Sequence, residues 1–393
     1  MNSVEKNLKR NLSLLKWLSI DETLFASAIV IAFEMHAIGL SLSQVLLGES
    51  IFALTILIVD IPTSVFSDLV HRKGTFIASE LCLLVGVIVL AFAQNFFHII
   101  ISQIFWGIGL ATISGTNSAM LFDTLRGIER ENEHRKILGG ITSFSLITIA
   151  FGQVLSGFLG EINLRLPIFL CILIPIYKLI LIIFLQEPPR EPHPHALAPL
   201  THVLSALQWF ITNSTILLLV IGSIFVSLAW KISAQTFNPY MELIHVPIVY
   251  WGVLMACFNL IAAFISRKAH IIQQYLGEGY SFLAIFGGSI IMFVLMANIK
   301  LPIGFLFPGI IWIISPFRQI FFADELNKRT SSDRRATTLS IAGFCSQFLQ
   351  VLALPLFGLF ADLWGLPMMY LIIACSLLVV AIGTGFGLQN RLA

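Results

Sequence analysis

Eight ionisable residues interrupt strongly apolar stretches of this sequence: Asp21, Glu22, Glu34, Glu49, Glu80, Lys178, Lys231 and Arg318. A charge in such surroundings costs at least about 2.5 kcal/mol on membrane-insertion scales, so each needs an opposite charge, a wet cavity or an escape to an interface. Carboxylates placed this way are suited to carrying protons. Burial favours the neutral acid and a nearby cation favours the carboxylate, so making and breaking an ion pair loads and releases a proton. Asp21 and Glu22 are the leading carriers on this reading, with Arg318 or Lys231 as the expected partner. A permanent structural ion pair is the competing reading, because buried pairs are retained for either reason. On a regular helix the two adjacent carboxylates point about 100° apart, so one would face a cavity and the other a neighbouring helix. Glu34 and Glu49, with His36 nearby, read as an outer proton relay or cation-binding rim; for Glu34 an interfacial carboxylate is the plainer alternative.

Amides supply the second set of candidates. Asn117, Gln235, Gln319 and Gln347 fall within apolar runs, as do Gln153, Asn238, Asn259 and Gln350. They are candidate substrate contacts. Hydrogen bonding between helices is an equally ordinary use, worth about 0.6 kcal/mol on average.

Other chemistries find little support. No nucleophile, base and oxyanion arrangement stands out, so the expectation is not an enzyme. The five cysteines are scattered through apolar runs without paired spacing, and His193, His195 and His202 belong to a proline-rich stretch with no closed ligand set, so no metal and no cofactor is expected. No glycine-rich phosphate loop is visible, and no basic arm suggests nucleic acid.

The elements that must position these groups are apolar runs. The chain of 393 residues is 57% hydrophobic and 11% charged, against about 25% charged in ordinary soluble proteins. The runs give about twelve spans near 14–37, 42–63, 74–94, 97–122, 138–160, 166–186, 209–240, 248–266, 279–298, 301–323, 336–361 and 366–388. Each suits a hydrocarbon core about 30 Å thick. The expectation is therefore an all-α membrane protein: a six-helix half over 1–186, a linker with a short amphipathic helix over 187–208, and a second six-helix half over 209–393. The basic N-terminal stretch reads as a retained first helix. Between spans, Lys and Arg from Lys6 to Arg391 collect on one side, with only Arg165 and Lys300 opposite, which places both termini in the cytoplasm. SGTNSAMLFDTL from Ser114 aligns with SPFRQIFFADEL from Ser315, pairing Asp123 with Asp324 and Asn117 with Arg318. The same offset of 201 pairs Gly157 with Gly358 and Glu161 with Asp362, as expected for a repeated unit. GLFADLWG from Gly358 falls on the opposite side and reads as a turn with a polar exit.

One stretch ties these elements together. DIPTSVFSDLVHRKG, from Asp60 to Gly74, follows one apolar run and precedes another, and reads as a short cytoplasmic loop between them. It resembles the signature between the second and third helices of the major facilitator superfamily. Asp60, Pro62, Thr63, Asp68, Arg72 and Lys73 match that signature, while Ser64 and His71 replace its two glycines. GLSLSQ at 39–44, SGTNSAMLFDTL at 114–125 and DRRATTLSI at 333–341 are similar to segments of its prokaryotic drug and metabolite exporter branch. The resemblance implies a cytoplasmic latch: Asp68 docks on the start of helix eleven near Arg335, and Arg72 bridges to Asp123. A carboxylate at a helix N-terminus is favourable, which supports the docking. It also implies that helices one, four, seven and ten line the cavity and that three, six, nine and twelve lie outside, so that Glu80 and Lys178 are peripheral and reach for headgroups.

The expected function is secondary active transport by alternating access: proton-coupled export, by antiport, of a small amphipathic organic compound. The expected setting is the lipid bilayer of a prokaryotic inner membrane, with the monomer as functional unit. Two other readings remain: carriage of an anionic metabolite or metal chelate anchored by Lys231 and Arg318, and a lipid-handling or non-transport membrane scaffold.

Overall fold

The computed structural model of the chain describes residues 3–69, 72–113, 116–188, 212–331 and 335–392. Every regular element among them is helical. Helices are what hydrocarbon demands of a spanning chain, because each satisfies its backbone groups internally. Among the described residues nine helices are long and apolar enough to cross a membrane.

The chain forms two units. One comprises Met1–His193 with Ile248–Ala256, the other Pro194–Pro247 with Cys257–Ala393. The first contains α1 (Ser3–Leu18), α2 (Leu42–Leu69), α3 (Arg72–Ala91), α4 (Phe96–Ile113), α5 (Thr116–Arg126), α6 (His134–Ile162), α7 (Arg165–Cys171) and α8 (Leu173–Ile183). The second contains α9 (Ser214–Gln235), α10 (Phe237–Leu243), most of α11 (Ile248–Asn298), α12 (Leu306–Arg329) and α13 (Arg335–Leu392). The first turns of α11 group with the first unit because glycines allow close backbone approach: a Cβ on Gly252 would collide with the Gln153 carbonyl, and one on Gly157 would lie 2.8 Å from the Val249 carbonyl.

Several expected spans prove to be broken, and the sequence explains where. The expected first helix, 14–37, ends at Leu18. It is followed by turns and then a short π-helical piece at Phe33–Ala37. Asp21 drives the first break: its Oδ1 accepts the Thr23 backbone N–H at 2.8 Å and also the Thr23 hydroxyl, a local alternative to helical bonding. The regular-helix geometry expected for Asp21 and Glu22 is therefore replaced by a turn. Pro175 has no N–H to give the Cys171 carbonyl, and α7 stops there; Pro239 acts likewise on Gln235, where α9 stops. The backbone of α2 stays helical through Pro62 to Leu69, so the expected loop after Asp60 is largely helix. Within α11 and α13 the helix breaks at Gly277 (φ 71°) and Gly365 (φ 79°), left-handed conformations that glycine adopts without penalty.

α3 and α4 interlock through small residues. Ser79 Oγ donates to the Gly109 carbonyl and Ser102 Oγ to the Gly86 carbonyl, both at 2.8 Å, the close approach that small residues permit between membrane helices. A Cβ on Gly109 would lie 2.7 Å from Leu83 Cγ. Below this pair Leu14, Leu18, Phe76, Leu121, Leu125 and Ile182 form a buried cluster joining α1, α3, α5 and α8. In the second unit Ile216, Leu219 and Val220 of α9 pack on Leu326 of α12.

Gly109→Leu is expected to destabilise the detergent-purified protein by about 1–3 kcal/mol, read as a lowered melting temperature. Gly279→Ala, whose Cβ meets nothing within 4 Å, is expected to leave that temperature unchanged or raise it.

Candidate functional site

The broken segment after α1 sets Glu22 against Lys178 of α8, with an ion pair and hydrogen bond between them. Glu80 of α3 stands on the other side, its Oε1 3.7 Å from Lys178 Nζ. The three side chains are 12%, 4% and 2% exposed for Glu22, Lys178 and Glu80 respectively. Glu80 Oε2 is buried with no hydrogen-bond partner among the described residues. All three groups line a cavity of about 330 Å³ in the first unit, together with Asp21, Asn117 and Thr142. Two carboxyl groups share one ammonium, so with both ionised one negative charge would be left over.

One expectation is corrected: Glu80 and Lys178 are not peripheral groups reaching for headgroups but are buried beside each other. Glu22, for which Arg318 or Lys231 was the expected partner, has Lys178 as its partner within the first unit. The physical reason lies in the turn at Asp21, which directs Glu22 toward α8, and in the cost of a bare charge inside the span, which holds Lys178 between its two carboxylates. The signal available in the sequence was the opposite sign of Lys178 and Glu80 within one half; the helix-position rule applied to them concealed it.

A second charged constellation joins the ends of α3, α5 and α8. Arg72 Nη2 lies 2.6 Å from Asp123 Oδ2, and Arg72 Nε donates to the same oxygen at 2.7 Å. Glu187 accepts the backbone N–H groups of Arg72 and Lys73, each at 2.9 Å, so a carboxylate caps the positive end of α3. Lys73 Nζ donates to the Ile183 and Leu185 carbonyls, completing the end of α8. Asn11 of α1 brackets the same corner, exchanging hydrogen bonds with the Gln186 backbone in both directions. Glu187 and Asn11 were missed in the sequence, since neither falls in a recognisable pattern.

The remaining candidates are dispersed. Glu34, expected at an interface, is instead 4% exposed on the π-helical turn, with Glu49 of α2 within electrostatic range. The π-helical winding turns it inward. Asn117 is exposed at the cavity wall. In the second unit Gln235 ends α9, half-buried; Gln319 is exposed on α12; Gln347 is half-buried on α13; and Lys231 is half-buried on α9. Arg318 is 5% exposed. Its guanidinium donates to the hydroxyls of Ser227 and Ser315. Arg335 is exposed at the start of α13. Asp68 lies on the α2 backbone, but its side chain is outside the described residues, so its docking near Arg335 has no geometry here. The histidines at 193, 195 and 202 are outside them too. Among the described residues no cluster of three or more His, Cys, Asp or Glu is placed to hold a metal ion.

The repeat reappears in these contacts. Asp324 of α12 accepts a hydrogen bond from Gln273 of α11 at 2.9 Å, the positions 201 residues beyond Asp123 and Arg72. The second unit adds Lys328, 2.8 Å from Asp324, and Arg329, paired with Glu325 and with Glu278 at 3.0 Å.

Comparison with known proteins agrees with this helical architecture. Residues 18–331 match the family described as the Major Facilitator Superfamily, and the chain belongs to it. It is a multi-pass integral membrane protein and a transporter. Among solved structures, a mutant of the nucleoside transporter NupG is similar with a TM-score of 0.85 and 12% identity over 97% of this chain and 99% of that one. A bacterial homologue of the human lysosomal transporter Spinster, inward-facing and unoccupied, gives a TM-score of 0.70 and 15% identity over 98% and 96%. A mutant of the peptide transporter POT in complex with sulfate gives 0.73 and 14% over 97% and 94%. At such identities the likeness is one of fold. A search of curated proteins gave no match.

Lys178→Met strips the cation from two buried carboxylates and is expected to cost about 3–5 kcal/mol, seen as a large fall in melting temperature. Glu80→Gln leaves the pair with Glu22 in place and is expected to cost much less in the same measurement.

Proposed function

We propose that this transporter works by alternating access and couples the outward movement of a small amphipathic organic compound to protons, with Glu22, Lys178 and Glu80 as the proton-exchanging group. The observation that carries the reading is that two carboxyl groups share one lysine on a cavity wall. A proton on either carboxylate leaves a neutral pair of Lys178 with the other, and loss of the proton restores the charge. The unpartnered Glu80 Oε2 is a place for that proton to bind. Asp21, on the same wall but tied to Thr23, is its nearest acidic neighbour on the chain.

Export rests on the resemblance of the sequence to the exporter branch. Twelve crossings with both termini cytoplasmic fit the nine apolar helices, two of them divided at Gly277 and Gly365, together with the broken first segment. The halves then fall near 1–186 and 209–393, and the fold's usual monomer in a prokaryotic inner membrane completes the proposal. Arg72 and Asp123 serve as a cytoplasmic latch, steadied by Glu187, with Asp68 and Arg335 in the roles the motif implies. Glu34 and Glu49 form an outer relay. Asn117, Gln235, Gln319, Gln347 and Lys231 are the polar groups available to substrate as it passes.

The test is counterflow and pH-gradient-driven uptake of a metabolite and drug panel in liposomes containing the purified protein. Glu22→Gln and Glu80→Gln are expected to keep counterflow and to lose acceleration by the gradient. A gradient response that survives in both variants contradicts the assignment of protons to this group.

A further inference from the structure

Arg318 presents a problem that the rest of the second unit does not solve. Its side chain is buried, yet among the described residues no carboxylate pairs with it; its bonds go to two neutral hydroxyls, Ser227 Oγ and Ser315 Oγ. A guanidinium carries five N–H donors and no acceptor, and Arg318 Nε has no partner among the described residues. A buried cation without a counter-charge costs several kcal/mol. A fold retains that cost most readily where something outside the chain supplies the missing charge.

The neighbourhood indicates what that is. α9 and α12 meet through Ser227 and Arg318 and, about one turn along α9 and nearly two along α12, through the rings of Trp230 and Trp312, whose centroids lie 6.1 Å apart at 70°. Trp312 Nε1 donates to Asn259 at 2.8 Å, which fixes that ring. Trp230 Nε1 is buried without an acceptor, and so is the hydroxyl of Ser233. Both tryptophans are half-buried, so part of each ring remains open. Two unpartnered N–H donors, on Arg318 and Trp230, thus belong to this contact of α9 and α12 beside two aromatic rings, with the unpartnered Ser233 hydroxyl about one turn beyond Trp230 on α9.

We propose that this wall of α9 and α12 binds an aromatic carboxylate or a similar planar anion, with the anionic end on Arg318 and the ring against Trp230 and Trp312. The proposal rests on the transport reading and narrows its substrate to amphipaths whose polar end is negative. The anion supplies the acceptors that Arg318 Nε and its neighbours lack. A cationic compound meets an uncompensated positive charge here and is disfavoured.

Binding is separable from transport and is measured first. Purified protein is titrated with 4-nitrobenzoate, 4-nitrobenzamide and 4-nitrobenzylamine, three probes of one ring and three charges, while tryptophan fluorescence quenching is followed. The nitrobenzoate is expected to quench saturably at a concentration about tenfold or more below that of the amide, and the amine not to saturate. Arg318→Gln is expected to erase that preference without lowering the melting temperature, because it removes a charge that had no partner. Arg318→Lys is expected to retain part of the preference, and Trp312→Phe to reduce the quenching amplitude more than the affinity. Equal binding of all three probes, or a preference for the amine, overturns the proposal. So does an Arg318→Gln variant that loses thermal stability while its probe preference is unchanged, which marks a structural arginine. Nitrobenzoate binding without movement in liposomes sinks the transport reading and leaves this site standing. Gradient-driven transport of cationic compounds, indifferent to Arg318→Gln, does the reverse.

Discussion

The first unit depends on a rule of electrostatics in hydrocarbon: Lys178 can be held inside the span only if negative charge comes to meet it. Three elements comply. α3 brings Glu80, α8 carries the lysine, and the chain after α1 abandons the helix so that Glu22 can reach. The turn at Asp21 is tolerated in this position because the segment keeps backbone groups bonded locally, Leu24 N–H to the Asp21 carbonyl and Ser27 N–H to the Thr23 carbonyl. The result is a cavity in which the carboxyl groups of Asp21, Glu22 and Glu80 outnumber a single lysine, a poor arrangement for stability alone and one suited to the proton exchange proposed above.

The repeat makes the two units instructive to compare. In the first, Asp123 is met by Arg72, a charge-assisted pair with the 51-residue separation that recurs between Gln273 and Asp324 in the second. There the arginine has become a glutamine, which keeps the hydrogen bond and gives up the charge. Lys328, four residues after Asp324 on the same helix, takes over the neutralisation. The ion pair between the helices has moved rather than vanished: Arg329 of α12 meets Glu278 of α11 at 3.0 Å, so the second unit ties the same two helices through a different pair of charges. The offset of 201 also sets Asn117 opposite Arg318, so each unit carries a different polar group at the same place, an amide beside the cavity of the first and a buried cation in the second.

Much of the architecture was legible in the sequence because it rests on local rules. Hydrophobic run length gave the spans, and Gly277 and Gly365 break their helices next to the expected span starts at 279 and 366. The motif named Arg72 and Asp123 together, and they meet. What the sequence hid depends on three dimensions. For Asp21 and Glu22 a helix left open which one meets a partner; the turn through Thr23 gives that place to Glu22. Glu80 and Lys178 were set aside by helix number, since sequence position does not reveal that their two side chains converge. Glu187 looked like the start of a linker, although its carboxylate closes the N-terminus of α3, and no pattern marks a cap supplied from 115 residues away.

The most direct test of the account replaces the whole group at once, with Glu22→Gln, Lys178→Met and Glu80→Gln combined in one chain. Within the group of three the triple variant leaves no charge without a partner, so it should fold and should isolate function from stability. The measurement is substrate counterflow beside pH-gradient-driven flux in liposomes. If these three residues carry the proton, counterflow continues and the gradient no longer drives transport. If the triple variant still concentrates substrate in response to the gradient, the group is a structural ion cluster and the proton travels elsewhere.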